Sequence, residues 1–165
     1  DKSDLFGQYV FYHQINENTF REQLKKLDFQ VSEKSYRICR MEIANYKEVC
    51  EKIDEISGGH TINLAGKLSL KESGALLSRA KFLVTNDSGP FHIARGVKCK
   101  TFVIFGPTSP GMFDFGENDT LIYSGESCAP CSLHGDKVCP KHHFNCMNNI
   151  KGEMVLKEIE KKIKL

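Results

Sequence analysis

The thirteen residues 82–94, Phe-Leu-Val-Thr-Asn-Asp-Ser-Gly-Pro-Phe-His-Ile-Ala, constrain this chain more than any other stretch. The apolar run Phe82, Leu83, Val84 reads as a buried strand, and Asn86 to Pro90 as a tight turn. Ser88 or Gly89 then caps a helix. Pro90 is its first helical residue, where a fixed φ fits and the missing N–H is not needed. A strand that turns sharply into a helix aims unpaired N–H groups and the positive end of the dipole at one point, which suits an anion, typically a phosphate. Asp87 stands at the carboxyl end of the strand, where open α/β sheets place polar contacts to ligands. The same residues also fit an ordinary strand–helix turn, with Asp87 capping the helix and His92 hydrogen-bonded on its inner face.

Elsewhere, apolar runs alternate with amphipathic ones. Strands are expected at 8–13, 36–41, 62–64, 101–105 and 120–123. Helices are expected where Phe20, Leu24 and Leu27 recur, where Ile43 to Ile56 form a stripe closed by Gly58-Gly59, and after Ser69. Ser69 and Glu72 form a capping-box pattern, with Leu70, Ala75, Leu76, Leu77 and Ala80 on the buried side. A last helix carries Met154, Leu156, Ile159 and Ile163. Strands and helices alternating at this spacing predict one α/β domain over 1–165, a doubly wound, Rossmann-like parallel sheet. Loops at the carboxyl ends of its strands converge on one crevice: Gly66-Lys67, Asn86 to Pro90, and Gly106 to Gly111.

A length of 165 residues allows one domain with a real core. With 23 basic against 21 acidic residues, the net charge of +2 speaks against broad nucleic-acid binding. No run approaches the roughly 18 to 20 apolar residues of a membrane span. The chain opens on Asp without a leader-like segment, so a part of something longer in a reducing cytosol is expected.

Four motifs in order resemble glycosyltransferase family 9, the ADP-heptose:lipopolysaccharide heptosyltransferases and their relatives. They are Leu64-Ala65-Gly66-Lys67-Leu68-Ser69-Leu70, Leu76-Leu77-Ser78-Arg79-Ala80-Lys81, Asn86-Asp87-Ser88-Gly89-Pro90-Phe91-His92-Ile93-Ala94, and Phe105-Gly106-Pro107-Thr108-Ser109-Pro110. Cys128-Ala129-Pro130-Cys131 and Cys146-Met147 resemble tails of many members. Where members carry a glycine- and hydroxyl-containing loop after the first strand, this chain has His13-Gln14-Ile15-Asn16. The resemblance implies one half of a glycosyltransferase B architecture, the half that holds an ADP-heptose-like nucleotide-sugar. It implies that Asp87 faces the donor sugar and that Ser88, Gly89 and Pro90 surround the diphosphate. His92 would brace that loop or touch a phosphate, Lys67 and Leu68 border the nucleobase, and Thr108 lines the cleft. It further implies inverting transfer without a catalytic metal to a lipid-linked saccharide at the inner membrane face. The base belongs to an amino-terminal catalytic domain outside this chain. A non-catalytic nucleotide- or zinc-binding module of the same ancestry is the alternative.

Within the loop 128–146, Cys128, Cys131, Cys139 and Cys146, with His134, His142 and His143 nearby, have spacings suited to a structural zinc, with disulfides or free thiols as competitors. Such a site stands apart from the crevice in sequence. Asp87, Ser88 and His92 also invite a hydrolase reading, but no Gly-x-Ser-x-Gly elbow is present. The lysines of the last helix, Lys157, Lys161, Lys162 and Lys164, suit an anionic membrane surface, although a solvated cover is the simpler reading. Glu42 or Glu48, at the end of the second strand, stand where a ribose hydroxyl could be reached, with helix-start or surface glutamates as the plainer reading.

Overall fold

The computed structural model describes residues 9–10, 37–38, 51, 55, 58, 61–62, 64, 67–135 and 138–163. The 13–16 loop, the helix over 20–27, most of the 43–56 stripe, and Glu42 and Glu48 lie outside them. Where that stripe is described, Glu51 and Glu55 are helical and Gly58 follows with φ 66°, the left-handed conformation a glycine supplies at a helix end.

Strands β1 (Tyr9–Val10) and β2 (Arg37–Ile38) pair in parallel. A second sheet runs β3 (Leu83–Asn86), β4 (Thr101–Phe105), β5 (Asp119–Tyr123), all parallel, and β1 lies next to β3. Central β4 is buried along its whole length, as a strand covered on both faces must be. Alternation sorts its residues. Phe102 and Ile104, with Val84 and Ile122 on the neighbouring strands, face one way into a cluster with Ile150, Val155, Ile159 and Ile163. Val103 and Phe105 face the other way and meet Phe91, while Leu83 meets Leu77, Ala94 and Cys99. The first face is covered by α4 (Gly152–Lys162), the second by α1 (Leu70–Leu77) and α2 (Gly89–Gly96). Helices on both faces make the sheet doubly wound, as the sequence pattern predicts. Phe82 and Phe102 meet edge to face at 5.6 Å, adding about 1 kcal/mol beyond their burial.

Several expectations shift. Ile62 and Leu64 are not in a strand but pack, half-buried, against the Leu77 cluster. Ser73 and Leu77 form the buried stripe of α1, leaving Leu70 73% exposed, and Val155 rather than Met154 faces the sheet from α4. Leu77, Ile159 and Ile163 are buried as expected and Leu76 and Ala80 pack against the core, whereas Leu70, Ala75 and Met154 are exposed, because a short apolar run does not specify where its buried stripe ends. Pro90 is the second residue of α2, not the first. No helix among the described residues is long and apolar enough to cross a membrane.

Candidate functional site

The turn after β3 is built so that its helix starts uncapped. Asp87 extends the ladder by one bond, its N–H donating to the Ile104 carbonyl at 3.3 Å. Ser88 takes the N-cap position in extended backbone, φ −159° and ψ 173°, but its hydroxyl makes no capping bond. Instead Ser88 Oγ lies 3.2 Å from both Thr85 Oγ1 and the Asn86 carbonyl oxygen. Phe91 N–H closes onto the Ser88 carbonyl at 3.0 Å, and Pro90 has no N–H to offer. Among the described residues, the amides of Ser88 and Gly89 form no hydrogen bond, and Asp87, half-buried, forms none through its carboxylate. This overturns the ordinary-turn reading: Asp87 does not cap the helix. His92 is exposed and makes no hydrogen bond among the described residues. Its ring packs against both Phe91 and Phe113, centroids 5.4 and 5.6 Å away.

Thr85 and Phe113 are contributors that sequence reasoning missed. A hydroxyl three residues before Ser88 is the signal that would have found Thr85. Phe113 carries none, because it reaches the site from the far end of a loop. That loop is tied to α2 by Arg95, whose Nε stands 3.2 Å from Asp119 Oδ2 and whose guanidinium also donates to the Asp114 carbonyl.

The register Asn86↔Ile104 puts the turn after β4 beside the turn after β3. Here Gly106 and Thr108 are buried and Pro107 half-buried. A Cβ at Gly106 would sit 2.2 Å from Met147 Sδ, so only glycine lets Met147 close over the turn without displacement. The Pro107 carbonyl accepts from both Cys131 N–H at 2.9 Å and Ser132 N–H at 3.0 Å. The cysteine loop therefore does not stand apart from the crevice. It is fastened to the turn that carries Thr108. Lys67 is exposed and Leu68 half-buried, just ahead of α1.

Among the described residues no three His, Cys, Asp or Glu side chains form a group that could hold a metal ion, and Cys128, Cys131, Cys139 and Cys146 are free thiols. Their environments differ. Backbone N–H groups of His143, Phe144, Lys141 and His142 point at the Cys139 sulfur and hold its pKa below the ordinary thiol value. Burial, and then the neighbouring Cys131, Cys128 and Cys139, push the Cys146 thiol up. Cys128 Sγ lies 3.9 Å from His143 Nε2, and Cys131 is exposed.

A family model, glycosyltransferase family 9 (heptosyltransferase), matches residues 20–142. The chain belongs to glycosyltransferase family 9. Lipooligosaccharide heptosyltransferase 2 of Campylobacter jejuni subsp. jejuni serotype O:6 is 36% identical to this family 9 chain over 123 residues, 70% of the chain and 37% of that protein. The chain thus spans under half the length of that relative. A solved glycosyl transferase family 9 structure from Veillonella parvula superposes with a TM-score of 0.72 at 18% identity, over 96% of this chain and 46% of the other. E. coli heptosyltransferase WaaC with ADP-2-deoxy-2-fluoro heptose gives 0.64 at 21% identity, over 94% and 43%. These likenesses place the α/β fold as one half of a glycosyltransferase B architecture.

Proposed function

We propose that this chain is the donor-binding half of an inverting, metal-independent heptosyltransferase. It would take a heptose-like sugar as its nucleoside diphosphate and serve transfer to a lipopolysaccharide-type acceptor. One observation carries the reading: at the start of α2 the carboxylate of Asp87 and the amides of Ser88 and Gly89, on successive residues, have no partner among the described residues. In the proposed complex the Ser88 and Gly89 N–H groups receive the diphosphate, and Asp87 accepts from a hydroxyl of the donor sugar. Pro90 fixes the helix start, and the ring of His92 braces it against Phe113. Thr108 lines the sugar side of the crevice, and Lys67 and Leu68 border the base.

As the glycosidic bond breaks, the leaving diphosphate gains charge. Fixed N–H dipoles then stabilise the transition state more than the bound donor, which lowers the barrier and not only the Kd. Losing one such donor typically costs about 3 kcal/mol of barrier. The base that takes the acceptor proton is assigned to an amino-terminal domain, so this chain alone binds donor without turnover. Work on a lipid-linked saccharide places the assembled enzyme in the cytoplasm, peripheral at the inner membrane face.

Thermal melting against a panel of nucleoside diphosphates and nucleotide-sugars tests the reading. A ligand at 100 times its Kd stabilises by about 2.7 kcal/mol, and ADP and ADP-sugars are expected to raise Tm most. A cooperatively melting chain whose Tm no nucleoside diphosphate moves would overturn the donor role.

A further inference from the structure

The opposite edge of the sheet, where the strands begin, holds a hollow of about 520 Å³, within the size range of small-molecule sites. Among the described residues Lys81, Lys98, Lys100 and Lys162 line it, and no Asp or Glu does. Its apolar lining includes the buried side chains of Cys99 and Ile163. Burial pushes the Cys99 thiol up to about 11, so it adds no negative charge near neutrality. Lys98, Lys100 and Lys162 form no ion pair among the described residues, whereas Lys161 pairs with Glu158.

The backbone that presents these cations is fixed. Cys99 N–H donates to the Ala94 carbonyl at 2.9 Å, the Lys100 carbonyl accepts from Leu83 N–H at 2.8 Å, and Asn118 Nδ2 donates to the Lys98 carbonyl at 3.4 Å. Helix carboxyl ends attract cations, and α2 carries Arg95 and α4 carries Lys161 and Lys162 in their last turns. Lys98 and Lys100 are additional to that need. Like charges held around one hollow repel each other, and a multiply charged anion relieves the repulsion.

We propose that this hollow is a second anion site, taking a phosphorylated anion (a free oligophosphate or a phospholipid headgroup) among Lys81, Lys98, Lys100 and Lys162. It goes beyond the donor reading and does not depend on it. Pyrophosphate is titrated at low ionic strength into the isotope-labelled 165-residue chain while backbone amide resonances are followed. A parallel arm measures co-sedimentation with phosphatidylcholine vesicles with and without phosphatidylglycerol. The amides of residues 98–100, 118 and 162–163 are expected to shift saturably, and the Lys98→Asn/Lys100→Gln variant to bind at least tenfold more weakly. Asn suits the φ of 59° at position 98, and an unchanged Tm confirms that the variant is folded. Response to pyrophosphate assigns a free anion. Response to phosphatidylglycerol vesicles alone, lost in the variant, assigns a lipid headgroup. Silence of these amides together with no variant-sensitive vesicle binding overturns the site, as does undiminished binding by the variant. Amides 88–89 report the donor turn separately, so either proposal can fail alone.

Discussion

Two helices in this domain begin with serine, and they begin differently. At α1, Ser69 Oγ accepts from Glu72 N–H at 3.3 Å, while the Glu72 carboxylate accepts from Ser69 N–H at 2.8 Å and from Ser69 Oγ–H at 2.7 Å. The box is closed and its donors are used within the chain. At α2, the fourth residue of the same pattern is Phe91 rather than a carboxylate. Ser88 Oγ turns back toward Thr85 and Asn86, the first turn carries no acidic residue, and two amides stay available. What separates a start that only holds a helix from one that can hold an anion is therefore not the capping residue. It is the group three positions later, which at α1 accepts from the capping residue's N–H and at α2 cannot.

The largest effect that would sharpen this contrast is expected at Asp87. If the proposed donor role holds, Asp87→Ala in the full enzyme removes a hydrogen bond to a charged group, worth about 1.5–3 kcal/mol, so turnover falls roughly 10- to 150-fold. Stability changes by under about 1 kcal/mol, the scale of a charge near a helix start. Steady-state kinetics beside a melting curve check this, and unchanged turnover in a folded variant removes Asp87 from the sugar. Next in size is Gly106→Ala. Its Cβ would meet Met147 Sδ at 2.2 Å, and overpacking of that kind costs about 1–3 kcal/mol. Met147→Ala in the same chain should recover most of the loss and, with it, any lost ADP affinity. A double variant no better than Gly106→Ala would show that Met147 does not set the position of the turn.

Much of this was legible because local rules and global fold agree where they act. The run Thr101–Phe105 has the composition of a strand covered on both faces, and residues 82–94 combine an apolar run, a turn and an early proline within one short stretch. Ser69 with Glu72 specified the α1 start outright. What was not legible depends on contacts between distant residues. The cysteine spacing suggested a metal, but not that amides of its own turn point at the Cys139 sulfur or that the loop is anchored by hydrogen bonds to Pro107. No local pattern announces a carbonyl shared between Cys131 and Ser132, or a methionine closing over a glycine 41 positions earlier. The edges of the buried stripes of α1 and α4, Leu70 and Met154 in place of Ser73 and Val155, were misassigned for the same reason: the sheet, not the helix, selects them.

Paired serine variants test the comparison directly. Ser69→Ala opens the capping box and should cost about 1 kcal/mol of stability in chemical denaturation, with ADP affinity unchanged. Ser88→Ala deletes no capping bond, so its stability loss should be smaller, and its effect should fall on ADP binding through the position of the Ser88 and Gly89 amides. Equal stability losses in the two variants would mean that both serines serve their helices alike, and the distinction would collapse.

The smallest expected effect is one of pH, and it separates the two starts by sign. The Ser69 side chain, and then the Ser69 backbone N–H, hold the Glu72 carboxyl below its ordinary value of 4.5. Between the folded and unfolded values the unfolded chain binds more protons, so stability falls as the medium becomes more acidic. The Glu72 contribution is therefore complete above about pH 4.5 and fades as pH drops through the lowered folded value. In Glu72→Gln no proton is taken up at this position. The stability difference between the natural chain and Glu72→Gln should accordingly shrink on acidification. With no acidic residue in the first turn of α2, the difference between the natural chain and Ser88→Ala should stay flat over the same range. A Ser88→Ala difference that shrinks in parallel would place a titrating carboxylate on the α2 amides, and those donors would then be occupied before any diphosphate arrives.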